Sequence, residues 1–375
     1  MGYKYSGPAL ILLSLLLLAS CGEFIGFDTL TPHMGDLSVL KIYLADDEVD
    51  ILNDSMTVGG YASCSYKGDA YGGLDKGGGA QIRMRGYTSR FVPKKNFTLA
   101  IDQDDEDDAE KFAIDAGNPW ASFNIVMRAY SLVGLPAPEL FPVALYMNDE
   151  YLGYYNIISI YDEDVDDIYG EEGELYKIRF HDIGNGIPAE EDCEKKYPND
   201  DDYSSLNLFL VYAEHLATED WVPWIEENVD LESVASYMVV RDFLGISDTS
   251  MTNFYIYAGD KYRILPWDND RLYEYGGIGG NNVITKRMFE SKAFQGYYRD
   301  QFNKYFLELG EANIIKKLCD YKEELEVLLE PAAEIDVFYM DYDSYTYEME
   351  YIDTFLNVRA ANILSDSSWA DFFNE

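Results

Sequence analysis

The stretch from Asp248 to Asp270 constrains the fold of this chain more than any other segment. Two runs rich in aromatic and β-branched residues, Phe254–Tyr257 and Tyr262–Leu265, lie on either side of a Gly-Asp turn. This pattern predicts two antiparallel strands joined by a tight connection. The pairing places Asn253 roughly opposite Pro266, so the residues that flank the two strands meet at one end of a hairpin.

Acidic and amide side chains collect at that end of the predicted hairpin: Asp248, Asn253, Asp268 and Asp270. Carboxylates held close together repel one another, and their pKa values rise unless a cation lies between them. A divalent metal ion would remove the conflict. The alternative is a set of solvated loop residues, because acidic residues often flank hairpins in a chain this acidic.

The composition limits the classes of partner. The chain has 375 residues, of which 47% are hydrophobic, and this is enough for one large domain or two ordinary ones. Its formal net charge of -41 repels nucleic acid and anionic membrane faces, so we expect no nucleic-acid partner. An anionic nucleotide could approach only through a local basic patch or a metal ion.

One basic cluster contrasts with this acidic background. Four cations lie within residues 85–95, among them Arg85, Lys94 and Lys95, between the predicted strands Gln81–Arg85 and Asn96–Ile101. The contrast favours a phosphate clamp. A surface loop whose cations form salt bridges remains the alternative.

The N-terminus has the features of a targeting segment. A short apolar run ends in Leu18-Ala19-Ser20-Cys21 and is too short to span a membrane. This ending resembles a bacterial lipobox, which implies a signal peptide over residues 1–20, lipid on Cys21, a tether over residues 21–36 and a lipid-anchored protein of the bacterial cell envelope, at the outer membrane or cell surface. A short membrane anchor, or an ordinary signal peptide with an incidental cysteine, is the alternative.

The remaining cysteines and the histidines give no metal or catalytic pattern. Cys64, Cys193 and Cys319 are widely spaced, so one disulfide is possible but its partners are open. The three histidines are scattered, which argues against a zinc site or a histidine-centred triad.

Hydrophobic periodicity divides the chain into a strand-rich and a helix-rich half. Alternating runs before residue 204 predict strands, including a second hairpin that turns at Asn148-Asp149, and Asp230 is predicted to cap a helix. Helical spacing dominates after residue 204. The sequence therefore predicts an α+β fold with two lobes, a strand-rich nucleotide-binding lobe over residues 37–203 and a helical catalytic lobe over residues 204–375.

Five segments together resemble the spore-coat-protein-H-like (CotH) kinases, an atypical branch of the protein-kinase-like fold. They stand in the family's order: Arg85-Gly-Tyr-Thr-Ser-Arg with Pro93-Lys94-Lys95, Val143 to Tyr155 ending in Gly-x-Tyr, Gly173-Glu-Leu-Tyr-Lys177, Asp248 and Asn253 with Pro266-Trp-Asp-Asn-Asp270, and Phe355 to Arg359. The resemblance covers residues 38–365.

The resemblance implies transfer of the γ-phosphate of ATP to protein hydroxyls at the cell envelope, with magnesium or manganese as cofactor. Lys94 would grip the nucleotide phosphates, with Lys95 and Arg85 as further nucleotide-binding candidates. The other implied roles fall on the hairpin: Asp248 and Asp268 as catalytic residues, and Asn253, Asp268 and Asp270 as metal ligands.

Two departures from the family pattern leave other functions open. Ser159 stands near the point where the family places a glutamate that could pair with the nucleotide lysine, and Asn269 replaces an aromatic residue. A pseudokinase, or a non-catalytic surface lipoprotein that binds glycan or protein, is the alternative. A metal-dependent hydrolase is a third possibility, which the absence of an accompanying histidine or activated nucleophile disfavours.

Overall fold

A computed structural model describes most of the chain after residue 34. The described residues are 35–55, 60–69, 74, 77–86, 92–101, 110–116, 120–162, 164–178, 186, 188–246, 253–270, 272, 278–279, 282–308, 310–336 and 342–374. They all belong to one compact unit, Met34–Glu375. The predicted signal peptide with Cys21 and the predicted catalytic residue Asp248 lie outside the described residues.

The first half of this unit forms a closed β-barrel in the strand order β1-β2-β3-β4-β5-β7-β6. Its strands are β1 Ser38–Tyr43, β2 Ala62–Gly68, β3 Gly78–Arg85, β4 Asn96–Ile101, β5 Glu110–Asp115, β6 Leu140–Met147 and β7 Glu150–Ser159. Neighbouring strands are antiparallel except β1 and β6, whose parallel pairing closes the barrel.

Alternation along the strands fills the barrel interior. Leu40 and Ile42 on β1 and Ile82 on β3 are fully buried, whereas their sequence neighbours are only partly covered or exposed. The hairpin between β6 and β7 turns at Asn148 and Asp149, as predicted, and both residues have positive φ angles of 49° and 64°. Asn and Asp tolerate this conformation better than most residues.

A second sheet of four strands, in the order β11-β10-β8-β9, carries the predicted catalytic hairpin. Its strands are β8 Glu174–Ile178, β9 Cys193–Tyr197, β10 Phe254–Ala258 and β11 Tyr262–Pro266. The hairpin β10–β11 confirms the prediction within one residue at each strand end. Strand β8 pairs with β10 of the hairpin and β9 pairs with β8, and neither of these two strands was predicted.

Helices dominate the second half of the chain. The helices are α1 Asp46–Asp54, α2 Ser122–Leu132, α3 Asp164–Tyr169, α4 Ala189–Asp192, α5 Ser204–His215, α6 Thr218–Asn228, α7 Leu231–Leu244, α8 Val283–Met288, α9 Lys292–Phe302, α10 Ile315–Ala333, α11 Tyr342–Ser365 and α12 Ser367–Asn374. A π-helical turn, Asn303–Leu307, extends α9. The strand-rich first half and helical second half confirm the predicted mixed class.

The long buried helix α7 precedes the predicted catalytic segment in sequence. Asp230 caps its first turn by accepting a hydrogen bond of 3.1 Å from the backbone N–H of Ser233, as predicted. Gly245 ends it in the left-handed conformation, with a φ of 67°. Helix α7 packs against α9, α2 and strand β11.

The described residues form two hydrophobic clusters, one inside the barrel and one that joins α2 to the second sheet and the later helices. Cys64, Cys193 and Cys319 form no disulfide in the structure, so the bridge that the sequence left open is not formed among them. Among the described helices, none combines the length and the apolar character needed to cross a membrane.

Candidate active site

The β10–β11 hairpin brings two of the predicted site residues, Asn253 and Asp268, to the same end of the sheet. Phe254 pairs with Pro266 in the antiparallel register. Asn253 directly precedes this pair on one strand, and Trp267 and Asp268 follow it on the other. The prediction that Asn253 lies near Pro266 is confirmed. Pro266 pairs with Phe254, however, so Asn253 lies one position before the residue that was expected to be opposite it.

Two residues at this end have unusual backbone conformations. Asn253 has a φ of 61° and Asp268 a φ of 55°. Non-glycine residues adopt positive φ infrequently, and they do so preferentially at functional sites where the surrounding structure holds them in place. The conformation turns the chain sharply on both strands, and the Asp268 side chain is left exposed.

Asn269 carries a buried carboxamide next to this turn. The residue is fully buried, and neither its Nδ2 nor its Oδ1 has a hydrogen-bond partner within the described part of the chain. A buried amide without partners costs about 1–3 kcal/mol, so such a group calls for an explanation. A ligand or ion at the hairpin end would supply the missing partners.

The donor set suits a hard divalent cation. Asp268 and Asp270 offer carboxylates, and Asn253 offers an amide oxygen, and such oxygen donors suit Mg²⁺ and Mn²⁺. Within the described ranges no three His, Cys, Asp or Glu residues cluster as a metal site would require. Asp248 lies outside those ranges and Asn253 is not one of these four residue types, so the predicted metal set stays a prediction.

Two cations from different sheets approach the ring of Trp267, which directly precedes Asp268. The Lys177 Nζ lies 4.9 Å from the ring centroid, and the Arg85 Cζ lies 5.7 Å from it. Arg85 ends barrel strand β3, whereas Lys177 lies on β8 and pairs with Tyr255 of the hairpin. The structure therefore brings the predicted nucleotide-binding residue Arg85 next to the hairpin end, together with a lysine to which sequence analysis gave no role.

The environment of Lys177 lowers its pKa to about 8. Burial is the main cause, and the neighbouring charges of Arg85 and Lys196 lower it further, while Asp268 and Glu194 oppose the shift. An amine with this pKa is still largely protonated near neutral pH. The lowered pKa therefore reflects mainly the burial of the amine, with a further contribution from the two neighbouring cations.

Lys94 lies in a different environment, at the barrel. Its Nζ is 2.7 Å from Oδ2 of Asp336, and the side chains of the two residues are 3% and 1% exposed. The rings of Trp120, Tyr154 and Tyr155 surround the ammonium at 5.0 to 5.9 Å. Burial lowers the pKa of Lys94, and the negative charge of Asp336 opposes that effect.

The glycine of the Gly-x-Tyr segment makes room for this ion pair. A Cβ on Gly153 would lie 2.6 Å from the Asp336 carboxylate and 2.9 Å from the Lys94 Nζ, and its φ is +111°. Both the space and the backbone conformation therefore require glycine. The adjacent Tyr154 backbone N–H donates a hydrogen bond of 3.3 Å to the same carboxylate.

Asp336 supplies the carboxylate that is missing at the position of the family's glutamate. Ser159, which stands where the family places a glutamate, is the exposed last residue of β7. The acidic partner of Lys94 is instead Asp336, which follows the end of α10 and is 242 positions from Lys94 in sequence. A lysine paired with a carboxylate is a recurring part of kinase sites. No local sequence signal singles out Asp336, because its partner is set by the tertiary packing. Lys95, the next residue after Lys94, is half-buried, and its role in nucleotide binding stays a prediction.

A buried polar network fixes the end of α7 before the catalytic segment. Asp242 pairs with Arg241, accepts a hydrogen bond of 2.9 Å from the Tyr298 hydroxyl and accepts one of 3.1 Å from the backbone N–H of Gly279. Arg359 donates to the backbone carbonyls of Phe243 and Asp242 at 2.7 and 3.2 Å. The predicted closing helix is thus bonded to the C-terminal end of α7.

Comparison with known proteins assigns the chain to a family. A family model described as "CotH kinase protein" matches residues 121–363, which is more than half of the chain. The chain belongs to the CotH kinase family. The CotH match contains the hairpin, Lys177 and Asp336, and it begins after Arg85, Lys94 and Lys95, so those three cations lie outside it.

Among solved structures, a Helicobacter pylori proinflammatory kinase, CtkA, is similar to this CotH family member. The two share 11% identity at a TM-score of 0.32, and the match covers 74% of this chain and 94% of the other. No curated protein matches the chain. The family assignment therefore rests on the family model and confirms the resemblance seen in the sequence.

Proposed function

We propose that this protein is a kinase that transfers the γ-phosphate of ATP to hydroxyl groups of proteins at the bacterial cell envelope. The observation that carries the proposal is the meeting of Asn253, Asp268 and the Arg85 cation around Trp267 at one end of the hairpin. Oxygen donors for a metal and a cation for phosphate are the parts that phosphoryl transfer needs, since catalysis consists mainly of positioning and neutralising charge.

Each residue has a distinct role in this proposal. Asn253 and Asp268 hold a magnesium or manganese ion, with Asp270 in support, and the ion would neutralise phosphate charge when bound. Arg85 contacts phosphate oxygens. Asp248 orients the acceptor hydroxyl or accepts its proton. Lys94, fixed by Asp336, corresponds to the lysine–carboxylate pair of kinase sites and orders the barrel side of the site.

A thermal unfolding measurement with ATP and Mn²⁺, repeated with Mg²⁺, tests this proposal. We expect saturating ligand at about one hundred times its Kd to stabilise the full-length protein by about 2.7 kcal/mol. In Asp268→Asn the stabilisation should disappear. Asparagine is the suitable replacement because it tolerates the positive φ of this position, which alanine does not.

Asp260→Asn provides the matched control. Asp260 is an exposed aspartate in the turn at the opposite end of the same hairpin. Its variant should keep the full ligand-induced shift. If ATP and metal shift neither the parent nor the control, the nucleotide site does not exist, and the non-catalytic surface lipoprotein becomes the better description.

Transfer of labelled γ-phosphate to a protein substrate, or to the protein itself, then separates kinase from pseudokinase. Binding without transfer would identify a pseudokinase. The envelope location has its own test, because the lipobox-like ending makes Cys21 the lipidation site. A bacterium that expresses Cys21→Ser should incorporate no labelled palmitate into the protein, in contrast to the parent.

A further inference from the structure

Lys177 differs from the buried lysines of the structure, because none of the described carboxylates forms an ion pair with it. The side chains of Lys94, Lys195 and Lys322 are at most 4% exposed, and each has an Asp or Glu oxygen within 2.9 Å. Lys177 is half-buried, and no described carboxylate lies within ion-pair distance of it. The same holds for Arg85, its neighbour at Trp267.

The two cations repel each other. Both lie over the ring of Trp267, at 5.7 Å for Arg85 and 4.9 Å for Lys177, and after burial the charge of Arg85 is a cause of the lowered pKa of Lys177. The charges of Asp268 and Glu194 act on Lys177 in the opposite direction. An anion that binds between the two cations would interact favourably with both.

The position of Lys177 selects the kind of anion. The register pairs Ile178 with Phe254 and Lys177 with Tyr255, so Lys177 lies at the same end of the sheet as Asn253. Directly opposite residues of antiparallel strands place their side chains on one face, which explains how Lys177 reaches the face of Trp267. The cation pair therefore lies beside Asp268, where the proposed function places phosphate.

We propose that Lys177 binds the phosphate groups of the nucleotide together with Arg85, as an electrostatic clamp across the face of Trp267. The inference rests on the proposed function and adds a binding residue to it. Lys94 is enclosed by three aromatic rings and Asp336, whereas Lys177 is partly accessible and has its charge available. Phosphate oxygens would accept charge-assisted hydrogen bonds from both cations.

The experiment measures ATP affinity of the full-length protein in the presence of Mg²⁺. In Lys177→Met we expect Kd to rise at least about tenfold, as the loss of one charge-assisted contact predicts. Lys177→Arg should recover part of the affinity. Lys261→Met is the matched control, because Lys261 is a half-buried lysine at the opposite end of the same hairpin, and its Kd should stay within about twofold of the parent.

Binding measurements with inorganic triphosphate and with adenosine distinguish contacts to the phosphates from contacts to the nucleoside. Triphosphate should compete with ATP for the parent, and its competition should weaken in Lys177→Met. Adenosine lacks phosphate, so any affinity for it should be unaffected by the substitution. An adenosine affinity that falls as much as the ATP affinity would overturn the proposed phosphate contact.

A second experiment labels lysine in the parent protein, so it does not depend on whether a Lys177 variant folds. Pyridoxal 5′-phosphate, an aldehyde that carries a phosphate, should form an imine with Lys177 that borohydride reduction fixes. Peptide mapping should find this label on Lys177 of the parent and find it suppressed by saturating ATP with Mg²⁺. Labelling of Lys177 that ATP does not reduce would overturn the inference.

These outcomes separate the two proposals. If the parent binds ATP and Lys177→Met binds it within about twofold of the parent, Lys177 is not a phosphate ligand and the kinase proposal stands. If the parent does not bind ATP at all, the kinase proposal fails and this inference fails with it.

Discussion

Replacement of Asp336 by asparagine should reveal how strongly the Lys94 ion pair holds the barrel to the rest of the protein. The pair is almost completely enclosed, with exposures of 3% and 1%. Asparagine keeps the shape of the side chain but removes the charge, so the Lys94 ammonium would remain buried without compensation. Removal of one partner from such a buried pair costs about 3–5 kcal/mol.

The corresponding shift in the thermal midpoint follows from the size of the unit Met34–Glu375. Unfolding entropy scales at about 2.1 cal/mol per kelvin per residue, which gives roughly 0.7 kcal/mol per kelvin for a unit of this length. We therefore expect Asp336→Asn to unfold about 4–7 °C below the parent, measured by calorimetry or circular dichroism.

Asp320→Asn is the control for a surface pair. Asp320 bonds Lys316 at 2.6 Å, but the two side chains are 54% and 82% exposed. Its loss should leave the thermal midpoint close to that of the parent, because water screens an exposed pair. In a double-mutant cycle, Lys94→Met with Asp336→Asn should be more stable than the sum of the single losses predicts, by about 2–3 kcal/mol, because neither residue then carries a buried charge.

The pH dependence gives an independent check on the same pair. Asp336 raises the pKa of Lys94 against the effect of burial, so its removal lowers that pKa further. A lysine whose folded pKa is lowered binds fewer protons when folded, so the stability of Asp336→Asn should rise with pH relative to the parent. A loss no larger than that of Asp320→Asn, with no dependence on pH, would refute the argument.

Three further substitutions test other parts of the structure. Glu348→Gln should cost about 2–3 kcal/mol in urea unfolding, because this buried carboxylate on α11 accepts hydrogen bonds of 2.7 to 2.9 Å from three backbone N–H groups at the start of α2. Gly153→Ala should cost at least about 2 kcal/mol, since its Cβ would clash with Asp336 and its φ is strained for alanine. Lys177→Met should increase the free energy of unfolding of the ligand-free protein by about 1 kcal/mol below about pH 8, and this advantage should shrink as the pH rises from the folded pKa of about 8 toward 10.5.

Each of these variants has a control or a contradicting result. Glu350→Gln changes an exposed glutamate on the same helix and should leave stability within about 0.5 kcal/mol. Gly170 also has a positive φ, of +69°, but open space surrounds the position of a new Cβ, so Gly170→Ala should cost only about 1 kcal/mol. A Lys177→Met variant that is less stable than the parent at neutral pH would show that the lysine stem, and not its charge, dominates at this position.

Local patterns in the sequence determined the elements on which the site is built. The β10–β11 hairpin, the turn at Asn148 and Asp149 and the cap at Asp230 depend on residues within a few positions of one another, and all three were predicted. Such features follow from backbone geometry and side-chain alternation, which operate over short distances. The ordered motifs also indicated the family, which the match to residues 121–363 confirms.

The partners of the charged groups were decided only by the tertiary structure. Lys94 pairs with Asp336 across 242 positions, and Glu348 caps the start of α2 across more than 220. Lys177 and Arg85 meet at Trp267 because strand β8 joins the hairpin sheet and the end of β3 lies against it. The physical reason is that burial makes pairing necessary, whereas the choice of partner depends on which surfaces pack together, and no short stretch of sequence contains that information.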